Sequence, residues 1–295
     1  MEQSVTGTAG QAMAPLPELD EDQFRRWADL LQARTGMRVP PERRSFLATS
    51  LGLRMREVGC ECPDEYFERL TTGSAALVEW STLVDRLTVH ETRFFRHPES
   101  MELVRDQVLA KAPDPDTGAM RFEAWSAGCA TGEEAYTLAM VIDAALASRR
   151  GGGESAYFGV IGTDISQPGL RTAREGIYHE RRTKGVPAHV HRVYFEPLGD
   201  GRVRVAQALR RRVCFACSSI LDAGHEPFAS LDLAYCQNLL IYFERARRAE
   251  IAAAMVTRLR PGGLLVLGSG ELVGWSDDRV EKVPSPHTCA FRRVR

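Results

Sequence analysis

Two features that place a protein in a membrane or on nucleic acid are missing from this sequence. No stretch approaches the roughly 18 uncharged apolar residues of a membrane span, and no basic flank followed by an apolar run opens the chain. An excess of one charge is also absent, because 38 Lys and Arg residues balance 39 Asp and Glu residues. We therefore expect a cytoplasmic protein with no membrane insertion and no nucleic-acid binding, in which any charge-driven contact is local.

Cysteine is scarce and shows no pairing pattern. The seven cysteines are scattered, and an odd number in a long chain argues against a disulfide framework. Cys214 and Cys217 have the spacing of half a zinc site, but no second cysteine pair or spaced histidine pair accompanies them. We interpret them as small apolar residues of a buried strand and predict no bound metal.

The pattern of apolar residues changes near residue 18. Residues 1–17 are rich in Ala, Gly, Thr and Pro without apolar periodicity, which predicts a disordered leader. From 18 to 88 apolar residues recur at helical spacing, as at Phe24, Trp27 and Leu31. This region is expected to form an all-α N-terminal domain.

Residues 89–295 alternate short apolar runs with amphipathic segments, which is typical of a parallel sheet covered by helices on both faces. The predicted strands are Arg121–Ser126, Ala156–Thr163, Arg212–Cys217, Leu231–Cys236 and Leu264–Leu267. The predicted helices are Glu133–Ser148, Gln167–Arg174 and Arg245–Arg260, the last ended by Pro261. A basic segment at about 176–211 predicts a small β insertion, and Val280–Arg295 predicts a closing antiparallel hairpin.

The first predicted strand leads into a glycine-containing turn that differs from a dinucleotide-binding motif. Gly128 and Gly132 allow the backbone to approach a ligand closely. Glu133 and Glu134 follow at the start of the helix, where two carboxylates repel phosphate. The turn favours a cationic ligand with an adenosine and no phosphate, with Glu134 in contact. Glu133 either binds the ligand or stabilises the helix N-terminus.

Polar residues also follow the second and fourth predicted strands. Asp164 is in the position that pairs with ribose hydroxyls. Asn238 and Leu239 are expected beside the adenosine and Tyr242 near a reactive cation, although Tyr242 could instead pack at the start of a helix. S-Adenosylmethionine fits these features, which predict a Rossmann-like methyltransferase fold.

The motifs together resemble those of the CheR family of chemotaxis receptor methyltransferases, over about residues 18 to 295. The matching strings are His90-Glu-Thr-Arg-Phe-Phe-Arg96, Trp125-Ser-Ala-Gly-Cys-Ala-Thr-Gly-Glu-Glu134, Gly162-Thr-Asp-Ile165, Cys236-Gln-Asn-Leu-Leu-Ile-Tyr-Phe243 and Leu259-Arg-Pro-Gly-Gly-Leu264. The resemblance implies an α/β fold with a mostly parallel seven-stranded sheet and a C-terminal antiparallel hairpin. It also implies S-adenosylmethionine-dependent methylation of glutamate side chains on the cytoplasmic helical bundle of bacterial chemoreceptors.

The resemblance assigns roles to individual positions. It implies cofactor contacts by His90, Thr92, Arg96, Gly128, Glu134, Asp164, Ser219, Ile220, Asn238 and Leu239. Arg96 and Tyr242 would orient the substrate carboxylate. The sequence departs from the family pattern at His90, Ala130, Ser219 and Gln237, so a regulatory module that binds S-adenosylmethionine or S-adenosylhomocysteine without methyl transfer is the alternative. A small-molecule methyltransferase is disfavoured because the helical domain would then lack a purpose.

Basic residues near the second N-terminal helix indicate the partner. The resemblance implies receptor binding by Arg43, Arg44, Arg54 and Arg56, against the alternative of a solvated helix face. The turn Gly199-Asp200-Gly201 is shorter than the loop with which some relatives grip a receptor's C-terminal pentapeptide, which predicts a pentapeptide-independent enzyme. A monomer associated with membrane chemoreceptor arrays is expected.

Overall fold

The computed structural model describes residues 18–72, 76–87, 92–113, 118–149 and 156–295. The predicted leader at 1–17 lies outside the described residues. In the described part of the chain, no helix has the length and apolar character needed to cross a membrane.

Four α-helices and one short 3₁₀ helix (Pro41–Arg43) lie in the helical region, which we define as residues 18–72 and 76–87. The four α-helices are named first to last along the chain. They are α1 (Glu21–Thr35), α2 (Arg44–Val58), α3 (Pro63–Thr71) and α4 (Ala76–Leu87). Asp20 caps α1 by accepting a hydrogen bond from the Gln23 amide at 2.7 Å. The helix ends at Gly36, whose φ of 71° favours glycine. Trp27 and Leu31 are buried, as their spacing predicts.

An α/β sheet follows the helical region. Its strands are β1 (Met120–Ala127), β2 (Ala156–Asp164), β6 (Val213–Cys217), β7 (Leu231–Cys236), β8 (Leu259–Leu267), β9 (Val280–Val283) and β10 (Cys289–Arg293). The strand order is β6-β2-β1-β7-β8-β10-β9; the first five are parallel, and β10 is antiparallel to its neighbours. Helices α5 (Pro98–Ala110), α6 (Glu133–Arg149) and α7 (Gln167–Glu175) bury apolar residues on one face, and α10 (Arg245–Arg258) covers the other. The predicted fold class is confirmed.

A second, three-stranded antiparallel sheet lies within the predicted β insertion. It contains β3 (Ile177–His179), β4 (Phe195–Gly199) and β5 (Arg202–Val205), with α8 (Ala188–Tyr194) and α9 (Gln207–Arg210) beside it. Phe94 packs edge-on against Tyr178 and Phe195 at 5.0 Å between ring centroids. The insertion is therefore anchored to the segment that precedes α5.

Two details of the sequence prediction are wrong. Helix α10 ends at Arg258 rather than Arg260. The reason is that Leu259 is buried and begins strand β8, where it pairs with Leu231 of β7. Strand β8 then bulges around Pro261. Cys214 and Cys217 are exposed, because β6 is an edge strand rather than a buried one. Within the described residues, no group of three or more potential ligands is placed to hold a metal ion.

Candidate active site

The carboxyl ends of the parallel strands β1, β2 and β7 meet at one edge of the sheet. The chain leaves β1 through Gly128, which has a φ of 75° and donates its amide hydrogen to the Thr163 carbonyl at 2.8 Å. A Cβ atom at Gly128 would lie 2.7 Å from Leu239 Cδ2. Glycine therefore allows the loop after β1 to lie against the loop after β7.

Asp164 joins the end of β2 to the loop after β1. Its Oδ2 accepts a hydrogen bond from the Ala130 amide at 2.8 Å, and its Oδ1 accepts one from the Ser166 amide at 2.8 Å. A carboxylate accepts hydrogen bonds at both oxygens, which is the chemistry that ribose hydroxyls require.

Glu133 and Glu134 are neighbours at the start of α6 but have different surroundings. Glu133 is buried, forms an ion pair with Arg182 of the β insertion and accepts a hydrogen bond from Thr131 Oγ1 at 2.6 Å. Glu134 accepts a hydrogen bond from Ser126 Oγ at 2.7 Å, and burial raises its pKa to about 8. The structure thus gives Glu133 a structural partner, while Glu134 lines a cavity.

Two adjoining cavities lie over this edge of the sheet and share Gly128, Ala130, Gln237 and Asn238. The Asp164 cavity is also lined by Thr35, Met37, Leu87, Asp164, Ile165, Ser218, Ser219, Ile220, Leu239, Tyr242 and Phe243. The Glu134 cavity is also lined by Thr92, Arg93, Arg96, His97, Met101, Glu134, Thr137 and Tyr235.

The structure brings nearly all of the predicted cofactor residues to these cavities. The Glu134 cavity contains Thr92, Arg96 and Glu134; the Asp164 cavity contains Asp164, Ser219, Ile220 and Leu239; Gly128 and Asn238 line both. Tyr242 lines the Asp164 cavity. His90 lies outside the described residues. Carboxylates therefore stand in both cavities, while the role of each residue stays a prediction.

Some cavity residues were not predicted as site residues from the sequence. His97 directly follows Arg96, so its place in the same motif was a usable signal. Thr35 ends α1, and no motif marks it. It reaches the cavity because the helical region contacts the loop after β7, where the Arg38 amide donates to the Tyr242 carbonyl at 3.0 Å.

Two of the arginines predicted to bind a receptor are engaged within the helical region. Arg44 Nε donates to the Leu19 carbonyl at 2.9 Å. Arg54, with its side chain only 19% exposed, forms two hydrogen bonds to Glu79 at 2.7 and 2.8 Å. The carboxylate of Glu79 also accepts a hydrogen bond from Tyr66 at 2.6 Å. Arg54 therefore already holds this network together.

The other two arginines differ in exposure. Arg43 is exposed, and its guanidinium carbon lies 5.9 Å from the centroid of the Tyr242 ring. Arg43 and Tyr242 line a further small cavity between the helical region and the loop after β7. Arg56 is half-buried on α2. Arg43 thus stands next to the site itself.

Comparison with known proteins gives the class and then the family. Residues 90–289 match the family described as "CheR methyltransferase, SAM binding domain", and residues 22–88 match "CheR methyltransferase, all-alpha domain". The fold, the acidic groups at the strand ends and these matches define an S-adenosylmethionine-dependent methyltransferase. The chain belongs to the CheR methyltransferase family, and the resemblance noted from the motifs is confirmed.

Individual relatives are similar over most of the chain. The chemotaxis protein methyltransferase of Escherichia coli K12 is 30% identical over 86% of this chain and 85% of its own length. That of Borreliella burgdorferi is 27% identical over 86% of this chain and 89% of its own length. The probable biofilm formation methyltransferase WspC of Pseudomonas aeruginosa is 31% identical over 92% of this chain, which spans 62% of that protein.

Proposed function

We propose that this protein transfers the methyl group of S-adenosylmethionine to glutamate side chains on the cytoplasmic helical bundle of chemoreceptors. The names of the E. coli and B. burgdorferi relatives support a role in chemotaxis. The observation that carries the proposal is the joined pair of cavities, which has Glu134 and Asp164 for a cationic cofactor and Arg96 for an anionic substrate.

The residues at the site fit S-adenosylmethionine. Burial raises the pKa of Glu134 to about 8, so its charged form is unfavourable without a neighbouring cation, and the ammonium group of the cofactor would supply one. Asp164 would accept hydrogen bonds from the ribose, and Gly128 leaves room for the backbone to approach. Ser219, Ile220, Asn238 and Leu239 would surround the adenosine.

The proposed reaction requires that the substrate carboxylate is positioned correctly, and it does not require a general base. When bound, the cofactor supplies a sulfonium methyl group; a carboxylate oxygen bonds to it while the carbon–sulfur bond breaks and its electron pair stays on sulfur. The glutamate substrate is already ionised at neutral pH, so no residue has to remove a proton. Arg96 would orient the carboxylate and Tyr242 would confine it.

The helical region would present the substrate. The exposed Arg43 stands beside Tyr242 and would attract acidic residues of the receptor bundle. We propose recognition by residues 18–88, catalysis by residues 89–295, and independence of a receptor pentapeptide, because the turn at Gly199–Gly201 is short.

The test is methyl transfer to a receptor cytoplasmic fragment. The protein is incubated with cofactor tritiated in the methyl group, and the receptor is assayed for base-labile methyl ester at glutamate. Base-labile label on the receptor is the expected result. Tight cofactor binding with no label would instead indicate the regulatory module.

A further inference from the structure

The turn that carries Tyr242 is stabilised by hydrogen bonds from one arginine, Arg248. Residues Leu240–Tyr242 form a single 3₁₀ turn after β7. Arg248 of α10 donates from Nε to the Phe243 carbonyl at 2.8 Å and from the two terminal nitrogens to the Ile241 and Glu271 carbonyls, both at 3.3 Å. One guanidinium therefore connects this turn to the loop after β8.

A buried carboxylate lies between the same two segments. Glu271 is 3% exposed, and its Oε2 accepts a hydrogen bond from the Gly268 amide at 2.6 Å. Its Oε1 is buried with no hydrogen-bond partner among the described residues. The amides of Leu240 and Ile241 lie close enough to favour its charged form, although burial raises its pKa overall. A charge at this depth is costly to bury, and the amides of Gly268, Leu240 and Ile241 that favour it belong to two loops at the active-site edge.

We propose that Glu271, together with Arg248, is a positioning residue for methyl transfer that holds the Leu240–Tyr242 turn so that the Tyr242 ring stays in the Asp164 cavity. The inference rests on the proposed function, because Tyr242 is taken there as the aromatic residue that confines the substrate carboxylate. Glu271 does not line either cavity. It would act through Tyr242 rather than touch a substrate.

Glu271 has a second effect that can be measured without any substrate. Its charge opposes ionisation of Glu134. Among the described residues, the titratable and charged groups that interact with these two carboxyls include Arg96, Cys129, Asp164, Tyr235, Cys236, Arg248 and Cys289, and Arg93 and His97 line the same cavity as Glu134. Burial raises the pKa of the phenol and the three thiols, so these groups stay neutral up to at least pH 8.

The experiment compares Glu271→Gln with Glu271→Asp and with Glu250→Gln, an exposed glutamate on α10, in the full chain. We expect Glu271→Gln to lower kcat about tenfold or more with KM within about threefold, because a displaced ring affects the reacting state more than binding. The midpoint of the pH dependence of cofactor binding should move to lower pH, since Glu134 loses an opposing charge. Glu271→Asp should restore that midpoint, and Glu250→Gln should change neither quantity.

A double-mutant cycle separates positioning from stability. In a Tyr242→Ala background, Glu271→Gln should cause no further loss of kcat, since the residue acts through the ring. Losses that multiply, or an unchanged kcat in the single variant, would overturn the proposal. If Glu271→Gln does not fold, Arg248→Lys replaces it in the same cycle. A wild-type protein that labels no receptor contradicts the proposed function, while the cofactor-binding midpoint still reports on the Glu271 charge.

Discussion

Asn238 Nδ2 lies 2.8 Å from Nε2 of His97, so a hydrogen bond joins the loop after β7 to the segment that contains Arg96. Asn238 has a φ of 60°, a left-handed conformation that asparagine tolerates. Burial, reinforced by the neighbouring Arg96 charge, lowers the pKa of His97 below its usual value of 6.5. His97 is therefore neutral at pH 7, and Nε2 can accept the amide hydrogen.

Removing the His97 side chain should loosen both cavities together. We expect His97→Ala to weaken cofactor binding about tenfold, which corresponds to the loss of one partly buried hydrogen bond. The exposed His225 is the control, and His225→Ala should leave Kd unchanged. Calorimetric titration of each variant at pH 7 measures the difference; equal affinities for both variants would contradict a role for this contact.

Glu134 should make cofactor binding depend on pH. Its pKa of about 8 means that the carboxyl is mostly protonated at pH 7 and must release a proton to meet an ammonium group. Affinity should therefore rise between pH 6 and pH 8. Calorimetry in buffers of different ionisation enthalpy counts the protons, and nearly one should be released at pH 7. Glu134→Gln should bind more weakly and release none, and proton release by this variant would assign the effect elsewhere.

The same carboxyl affects stability with the opposite sign. Because its folded-state pKa is raised, the native state holds the proton more tightly, and this contribution to stability is lost as pH rises from about 4.5 to about 8. The melting temperature of Glu134→Gln, measured relative to that of the wild type, should therefore rise as pH increases over this interval.

Arg96 should matter for turnover far more than for folding. We expect Arg96→Ala to lower kcat at least about a hundredfold, since orientation of the reacting groups supplies much of the rate in this mechanism. Its melting temperature should stay within a few degrees of the wild type. The exposed Arg25, on α1, offers a control in Arg25→Ala. An Arg96→Ala variant with the wild-type methylation rate would remove the proposed role.

Gly128 and Gly59 form a matched pair for testing the loop after β1. Both have positive φ, 75° and 73°, so alanine costs a similar amount of backbone strain, about 1 kcal/mol, at each. Only at Gly128 would the new Cβ meet another side chain, Leu239 Cδ2 at 2.7 Å. Gly128→Ala should therefore weaken cofactor binding at least about tenfold and Gly59→Ala should not. Similar Kd values for the two variants would show that the close approach of Gly128 to Leu239 does not affect cofactor binding.

Glu79 should stabilise the helical region above pH 4.5. Its hydrogen bonds from Arg54 lower the pKa of Glu79, so its contribution is complete above the unfolded value of about 4.5 and is lost as pH falls through the folded value. Glu79→Gln should lower the free energy of unfolding by about 2 kcal/mol at pH 7, because Arg54 loses its main partner. Denaturant titration at several pH values measures this.

The exposed Glu57, which also contacts Arg54, is the control for that network. Glu57→Gln should have little effect at pH 7. The difference between wild type and Glu79→Gln should shrink below pH 4.5, and a difference that is independent of pH would contradict the assigned cause.

Much of the fold and of the candidate site could be predicted because the signals are local. The helical spacing of Trp27 and Leu31 anticipates their burial in α1, and the apolar run Leu231–Cys236 anticipates the central strand β7. Gly128 and Asp164 are recognisable because chain direction reverses where strands end, and only certain residues suit those positions.

The end of helix α10 and the exposure of β6 could not be predicted in the same way. Helical periodicity continues to Arg260, but Leu259 gains a strand partner, Leu231, that is 28 positions away in the chain. Cys217 is exposed because β6 happens to be the edge of the sheet, which depends on strand order rather than on its own sequence.

By itself, the sequence determined most of the helices and strands and placed acidic residues where the strands end, because both depend on neighbours within a few positions; that these residues bind a cationic cofactor stays a prediction. The tertiary structure alone decided that Glu133 pairs with Arg182 while Glu134 stays in the cavity, that Arg54 is engaged by Glu79, and that Glu271 lies beneath the turn of Tyr242. These outcomes depend on which distant segments meet and on how much water they exclude, and burial sets both the pairing and the pKa of each charge.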